Sequence, residues 1–229
     1  RPQACKWFYK DKLLDMPKVY MYVVDRDFGF APNPFHGICT LATCKPRIRR
    51  VAKEFDWVIG MGGGRLKATG YCIFAMKVSR SITFNEYWTN SSYQDKRPVR
   101  NGSLKMIVGD NIYHQSHGEW QQLDSHHSHA DGSPNTHNIT NDTKADAVLV
   151  SDHFFYFGSA AIEIPTVILQ RLGYKNPRSH RTFDSVFAQP LISFIETNFK
   201  FNRVLGDPFD FEAASSRYSA ENNKVTTSD

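Results

Sequence analysis

An α+β fold in a single domain is what this sequence predicts, and three observations predict it. Short runs rich in β-branched and aromatic residues alternate with short amphipathic segments that open on proline. No composition break or internal repeat divides the 229 residues, a length that one core can fill. Hydrophobic residues make up 41% and aromatics 14%, which excludes a disordered chain. The domain is placed over 1–212, and the Ser/Asn/Thr-rich stretch 213–229 is expected to be a flexible C-terminal tail.

Taken in order, residues 19–24 (VYMYVV) read as a buried strand closed by Asp25-Arg26-Asp27. The loop 28–37 carries Pro and Gly between three phenylalanines and suits a pocket wall or a core edge. Pro46 stands where a helix would start. That helix, reaching Phe55, puts Ile48, Val51 and Phe55 inward and Arg49, Arg50 and Lys53 outward. Residues 56–64 run from a strand into a glycine turn that lacks the Gly-Lys-Ser/Thr ending of a phosphate loop. A second strand over 68–78 makes the turn a hairpin.

Residues 83–88 look like a capped helical turn, followed by an exposed basic loop to Lys105. The segment 121–145 has only four apolar residues in 25, and a loop this long and polar is functional or disordered. Residues 147–150 (AVLV) are the most strongly buried strand candidate and end in Ser151-Asp152-His153. Helices follow over 165–172, stopped by Gly173, and over 184–199, with a basic loop at 176–181 between them.

Charge is unevenly spread. Residues 1–110 hold 19 Lys/Arg against 9 Asp/Glu, and residues 111–229 hold 9 against 14. A basic half draws polyanions by long-range field and counterion release, or merely solubilises the chain. No run of about 18 apolar residues exists to span a bilayer, and a cytoplasmic protein without membrane contact is expected. Cys5, Cys39, Cys44 and Cys72 are too sparse for a disulfide scaffold and are read as reduced thiols. The Asn-x-Ser/Thr triplets at Asn90, Asn101, Asn138 and Asn141 are read as chance.

The candidate catalytic residues are Asp110, His114, His127 and Asp152. Asp110 and Asp152 each follow a strand, where a sheet holds a side chain over a pocket, and the histidines can exchange protons near neutral pH. Asn111, Tyr113, Asp124, Ser125 and Asp142 are expected to grip polar base edges or ribose. Arg178, His180 and Arg181, together with Arg49 and Arg50, suit phosphate capture. No metal and no cofactor is expected, because His126, His127, His129 and His137 lack a metal-ligand spacing on a helix. Cys44 precedes a helix start, the one argument for a reactive thiol; a buried apolar cysteine is the expectation.

Several blocks occur together in order. These are Tyr22-Val-Val-Asp-Arg-Asp-Phe-Gly-Phe-Ala-Pro-Asn-Pro-Phe-His-Gly37, then Cys39-Thr-Leu-Ala-Thr-Cys-Lys-Pro46 and Asp56-Trp-Val-Ile-Gly-Met-Gly62. Phe84-x-Glu-Tyr-Trp88, Gly109-Asp-Asn-Ile-Tyr-His114, Asp142-Thr-Lys144 and Val148-Leu-Val-Ser-Asp152 follow. The set resembles the second type of nucleotide-modification-associated domain, over roughly 19–190. The resemblance implies bacterial and phage systems that make or process modified bases, and so a nucleic-acid or nucleotide partner. The stretch 57–88 is also similar to the barrel strands of PUA, ASCH and EVE domains, which implies a mixed, partly barrel-like sheet flanked by helices. One departure stands at 178–181, which reads Arg-Ser-His-Arg where a Gly-Arg-Gly-His type of loop is expected.

The resulting expectation is a base or nucleotide held in a His/Asp-lined pocket. The alternative is a transferase or hydrolase using Asp and His as acid and base. The oligomeric state is left open.

Overall fold

The computed structural model describes residues 16–226, so Cys5 lies outside the described residues. Strand β1 (Lys18–Val24) is followed by β2 (Cys39–Leu41), helix α1 (Pro46–Val51), and strands β3 (Trp57–Gly62), β4 (Tyr71–Lys77) and β5 (Arg80–Ile82). Helices α2 (Phe84–Thr89) and α3 (Leu104–Ile107) lead to the hairpin β6 (Tyr113–Ser116) and β7 (Glu119–Gln122). Helix α4 (Thr136–Asp142) then precedes β8 (Val148–Ser151), β9 (His153–Tyr156) and β10 (Ile162–Glu163). Helix α5 (Thr166–Leu172), β11 (His180–Asp184), helix α6 (Ser185–Asn198) and β12 (Arg203–Val204) complete the main body. The hairpin β13 (Arg217–Ser219) and β14 (Lys224–Thr226) ends the described chain.

The main sheet has the order β11-β1-β3-β4-β9-β12, with β10 also on β4; a smaller sheet is ordered β2-β8-β5. Among the described strand pairs, β1/β3 and β9/β12 are parallel and the others antiparallel. The main sheet is mixed and flanked by helices, as expected of an α+β domain, and it does not close into a barrel, with β11 and β12 as its edges. The two sheets are nevertheless joined by shared strands. One register runs from Phe74↔Tyr156 through Lys77↔His153 to Arg80↔Val150 and Ile82↔Val148. Thus β4–β5 and β8–β9 form one antiparallel ribbon that bends where Ser79 meets Asp152. At the bend the Ser79 hydroxyl donates to Asp152 Oδ1 at 2.6 Å and accepts from the Asp152 N–H at 3.1 Å.

Alternation along β1 sorts the layers, because successive side chains point to opposite faces. Val19 and Met21 pack with Ile59, Phe155, Leu191 and Ile195 under α6. Tyr20, Tyr22 and Val24 face the other way and pack with Leu41, Ile48, Phe74 and Leu149 between the two sheets. A third cluster, with Phe28, Phe30, Phe84, Tyr87, Tyr113 and Val150, lies beyond the small sheet. Burying each such side chain contributes roughly 1.5–3 kcal/mol.

Most expected elements are present, with local corrections. The α2 turn carries a capping box between Thr83 and Glu86, and Gly173 ends α5 at φ 66. Helix α1 is shorter than expected and differently faced: Ile48, Arg49 and Ala52 are buried, while Val51 and Phe55 are about half exposed. The polar segment 121–145 is not structureless, since Asn135 caps α4 by accepting from the Asn138 N–H at 3.1 Å. Part of the stretch expected as a tail packs against the domain. Ala214, Ser216 and Arg217 are buried, and the Tyr218 N–H donates to the His126 carbonyl at 2.7 Å. No helix among the described residues is long and apolar enough to cross a membrane.

Candidate active site

A cavity of about 480 Å³ opens at the carboxyl end of β1, within the size range of small-molecule sites. The end of β1 supplies Tyr22, Asp25 and Arg26; the following loop supplies Phe28 and Phe30. The chain leaving β2 supplies Cys44 and Lys45, and the loop between β7 and α4 supplies His126 and His127. Arg178 and, from the C-terminal hairpin, Tyr218 and Asn223 close the rim.

In the wall stands a linear arrangement of thiol, imidazole and carboxylate. His127 Nδ1 is 2.7 Å from Asp142 Oδ2, and its Nε2 is 3.9 Å from Cys44 Sγ. The carboxylate is held from both sides: the Cys44 N–H donates to Oδ1 at 2.7 Å, and the Tyr113 hydroxyl donates to Oδ2 at 2.9 Å. Burial alone would lower the His127 pKa, but the Asp142 charge and hydrogen bond override it and push it up to about 10. Burial would raise Asp142, yet the imidazolium and the Arg49 guanidinium hold it below the usual carboxylate range. The pair is therefore imidazolium and carboxylate at neutral pH, with the second ring nitrogen aimed at sulfur. This is the relation between nucleophile, base and orienting group found in nucleophilic catalysis.

Arg49 explains how the sequence builds this corner. The side chain is fully buried and donates to four carbonyls: Cys44 at 2.8 Å, Ala145 at 2.9 Å, Ala147 at 2.6 Å, and Asp142. One guanidinium thus ties the Cys44 loop to the end of α4, using a donor fork that lysine lacks. The loop is bent by two consecutive left-handed residues, Cys44 at φ 55 and Lys45 at φ 40. Such a conformation in a non-glycine residue is held by its surroundings and concentrates at functional sites.

The second histidine is in a different state. His126 is 3% exposed, and its Nδ1 lies 2.7 Å from the Ser216 carbonyl, so Nδ1 carries the proton. Burial first, and the neighbouring His127 next, push its pKa down to about 3. Its ring sits 4.5 Å from Phe28 and 5.2 Å from Phe30, centroid to centroid.

The structure brings together only part of the expected site. His127, Asp142 and Tyr113 meet as described. Ser125 is buried beneath the loop and accepts from the His127 N–H at 3.3 Å. Arg178 reaches the rim, whereas Arg181 and His180 lie on edge strand β11 beside Met21 and Tyr22. Asp124 accepts from Arg217 and, at 3.1 Å, from Ser128.

Asp110 is fully buried elsewhere, accepting from Thr40 and Tyr87 hydroxyls at 2.7 Å each. Asn111 is pinned to the Tyr87 and Tyr93 carbonyls at 2.9 and 3.2 Å. His114 stacks on Trp88 at 4.0 Å, and Asp152 is exposed at the ribbon bend and lines a separate hollow with Glu54 and Lys77. Arg49 is internal rather than a surface phosphate contact, because four carbonyls satisfy it; Arg50 is exposed and donates to the Lys144 carbonyl at 2.5 Å. Cys44 is half-buried at the cavity wall, not the apolar core thiol expected. Lys45 and Tyr22 are residues that sequence reasoning passed over, while Cys44 and His126 were weighed, as a reactive thiol and a metal ligand, and set aside. The one signal for Cys44 was its place two residues before a helix-opening proline. Among the described residues, no group of three His, Cys, Asp or Glu side chains is placed to hold a metal ion.

No curated protein and no solved structure matches this chain. The model of the family described as nucleotide modification associated domain 2 matches residues 16–215, a span that includes Cys44, His127 and Asp142, and the chain belongs to that family.

Proposed function

We propose that this protein is a cysteine-nucleophile enzyme, a transferase or hydrolase, acting on a nucleotide. The single observation that carries the reading is the Cys44–His127–Asp142 line in the wall of the cavity. In this scheme Cys44 Sγ attacks an electrophilic carbon of the substrate as a thiolate paired with the His127 imidazolium, which holds the proton on Nε2. The Nε2 proton then passes to the departing group as its bond breaks. Water or an acceptor nucleophile, deprotonated by His127, releases the product from sulfur. Asp142 fixes the ring and stabilises its positive charge throughout.

The nucleotide part rests on the family and on the rim. Arg26, Lys45 and Arg178 are cations around a cavity whose inner wall is aromatic, which suits a phosphate outside and a flat ring inside. Lys45 Nζ lies 4.4 Å from the centre of the Tyr22 ring, and burial lowers its pKa. It is therefore a weakly hydrated cation close to the sulfur.

Iodoacetamide labelling in a Cys5→Ser background, read by peptide mapping, tests the scheme. Cys44 should react at neutral pH at least roughly tenfold faster than in His127→Ala. Cys39 and Cys72, both 0% exposed, should stay unlabelled, and nucleoside monophosphates should protect Cys44. Labelling of Cys44 at one rate with and without His127 would remove the enzyme reading. Protection by nucleotides without such assistance would leave only a binding module.

A further inference from the structure

We infer that His126 is the residue that reads the substrate's base, a fixed acceptor for an N–H group on the edge of a flat heterocycle seated against Phe28 and Phe30. The inference rests on the proposal that the cavity takes a nucleotide.

Three observations converge on it. The ring is nine-tenths buried in the cavity wall, next to the residue that faces the thiol. Its Nδ1–H is committed to the Ser216 carbonyl at 2.7 Å, which sets the tautomer and leaves Nε2 with a lone pair. Nε2 has no hydrogen-bond partner among the described residues and is not one of the unpartnered polar atoms closed off from solvent. A lone pair in a cavity wall that accepts from nothing among the described residues is open to a ligand.

The surroundings keep it an acceptor. Burial opposes a charge on the ring, and the His127 imidazolium, with its ring centre 5.9 Å away, repels a second proton. Arg100 and Arg217 add to that repulsion. A group that stays neutral across the working pH range discriminates by geometry: it accepts from an amino or imino N–H and is left facing a lone pair when the ligand offers an acceptor instead. A buried site built on one such bond rejects the ligand that cannot form it more strongly than a purely apolar pocket can. The aromatic neighbours favour a flat ring over a sugar at this depth.

His126→Asn isolates the claim. Asn Nδ2 can stand in for Nδ1–H toward Ser216, so the structural bond is kept while the cavity acceptor is removed. The probes are the nucleoside 5′-monophosphates of the four DNA bases, with deoxyribose 5-phosphate as the base-free control, measured by calorimetry. At least one monophosphate should bind wild type and lose about tenfold or more in His126→Asn, the range of one hydrogen bond left unmade in a buried site. Deoxyribose 5-phosphate should bind both proteins alike, and Cys44 labelling should be unchanged. Equal monophosphate affinities in the two proteins would overturn the inference. A matching fall for deoxyribose 5-phosphate would assign the acceptor to a sugar hydroxyl and overturn it as well. If no monophosphate binds wild type while Cys44 still depends on His127, the nucleotide reading of the cavity fails and the inference falls with it, but the thiol scheme stands.

Discussion

Replacing Asp142 by Asn should erase a pH dependence of stability that the wild type shows. The upward displacement of His127 from 6.5 to about 10 corresponds to on the order of 5 kcal/mol of preference for the imidazolium in the folded state. That agrees with the ~3–5 kcal/mol lost when one partner of a buried ion pair is removed. The sign follows from proton binding. Between 6.5 and about 10 the folded protein holds a proton at His127 that the unfolded chain has released. Its contribution is complete below 6.5 and declines by about 1.4 kcal/mol per pH unit above it.

The usable window closes near 8, because burial lowers Lys96 to about that value and its release above it acts in the opposite sense. From pH 6.5 to 8 the wild type should therefore lose about 2 kcal/mol relative to Asp142→Asn, or about 4–8 °C of their difference in Tm for a domain of this size. In Asp142→Asn the ring follows burial, titrates below 6.5 and adds no slope. The variant should be ~3 kcal/mol or more less stable than wild type at the acid end of the window, and the gap should narrow across it. Urea denaturation at several pH values measures both curves. Parallel curves would refute the coupling of His127 to Asp142.

Three further outcomes follow from the same coordinates. Arg49→Lys keeps the charge but offers one donor point to four carbonyls, so it should cost about 2–4 kcal/mol in denaturation and slow Cys44 labelling. Asp110→Asn should destabilise by about 1–3 kcal/mol, since Thr40 and Tyr87 both donate to its carboxylate, while leaving the Cys44 labelling rate intact; a slowed thiol would return Asp110 to the site. Removing residues 216–226 takes away the Ser216 carbonyl that orients His126 and the Arg217 contact to Asp124. Exchange of amides over 124–128 should quicken by at least about tenfold while the main sheet stays protected.

What the sequence disclosed, and what it hid, follows the reach of each interaction. The β1 run, the β3–β4 hairpin and the Thr83–Glu86 cap are local, and residue order over a few positions specifies them. The face of α1 was misread because apolar periodicity assigns arginine to solvent, whereas Arg49 is compensated by carbonyls up to 98 positions away. His127 and Asp142 stood out as titratable groups in a polar segment. Their third member did not, because Cys44 meets His127 across 83 residues of chain. Asp110, following a strand, and Asp142, in the polar segment, both read as site residues. Only the packing tells a carboxylate enclosed by hydroxyls from one facing an imidazole.

The bent ribbon over 71–82 and 148–156 has a mechanical meaning. Tyr22 and Arg26 ride on one sheet and Cys44 leaves the other, so the two walls of the cleft belong to separate layers. Both layers are threaded by the same two strands in a single register, and sliding one layer past the other would break that pairing throughout. The distance between the Cys44 loop and the β1 side of the cleft is accordingly set by that pairing, a span the fold fixes before anything enters it.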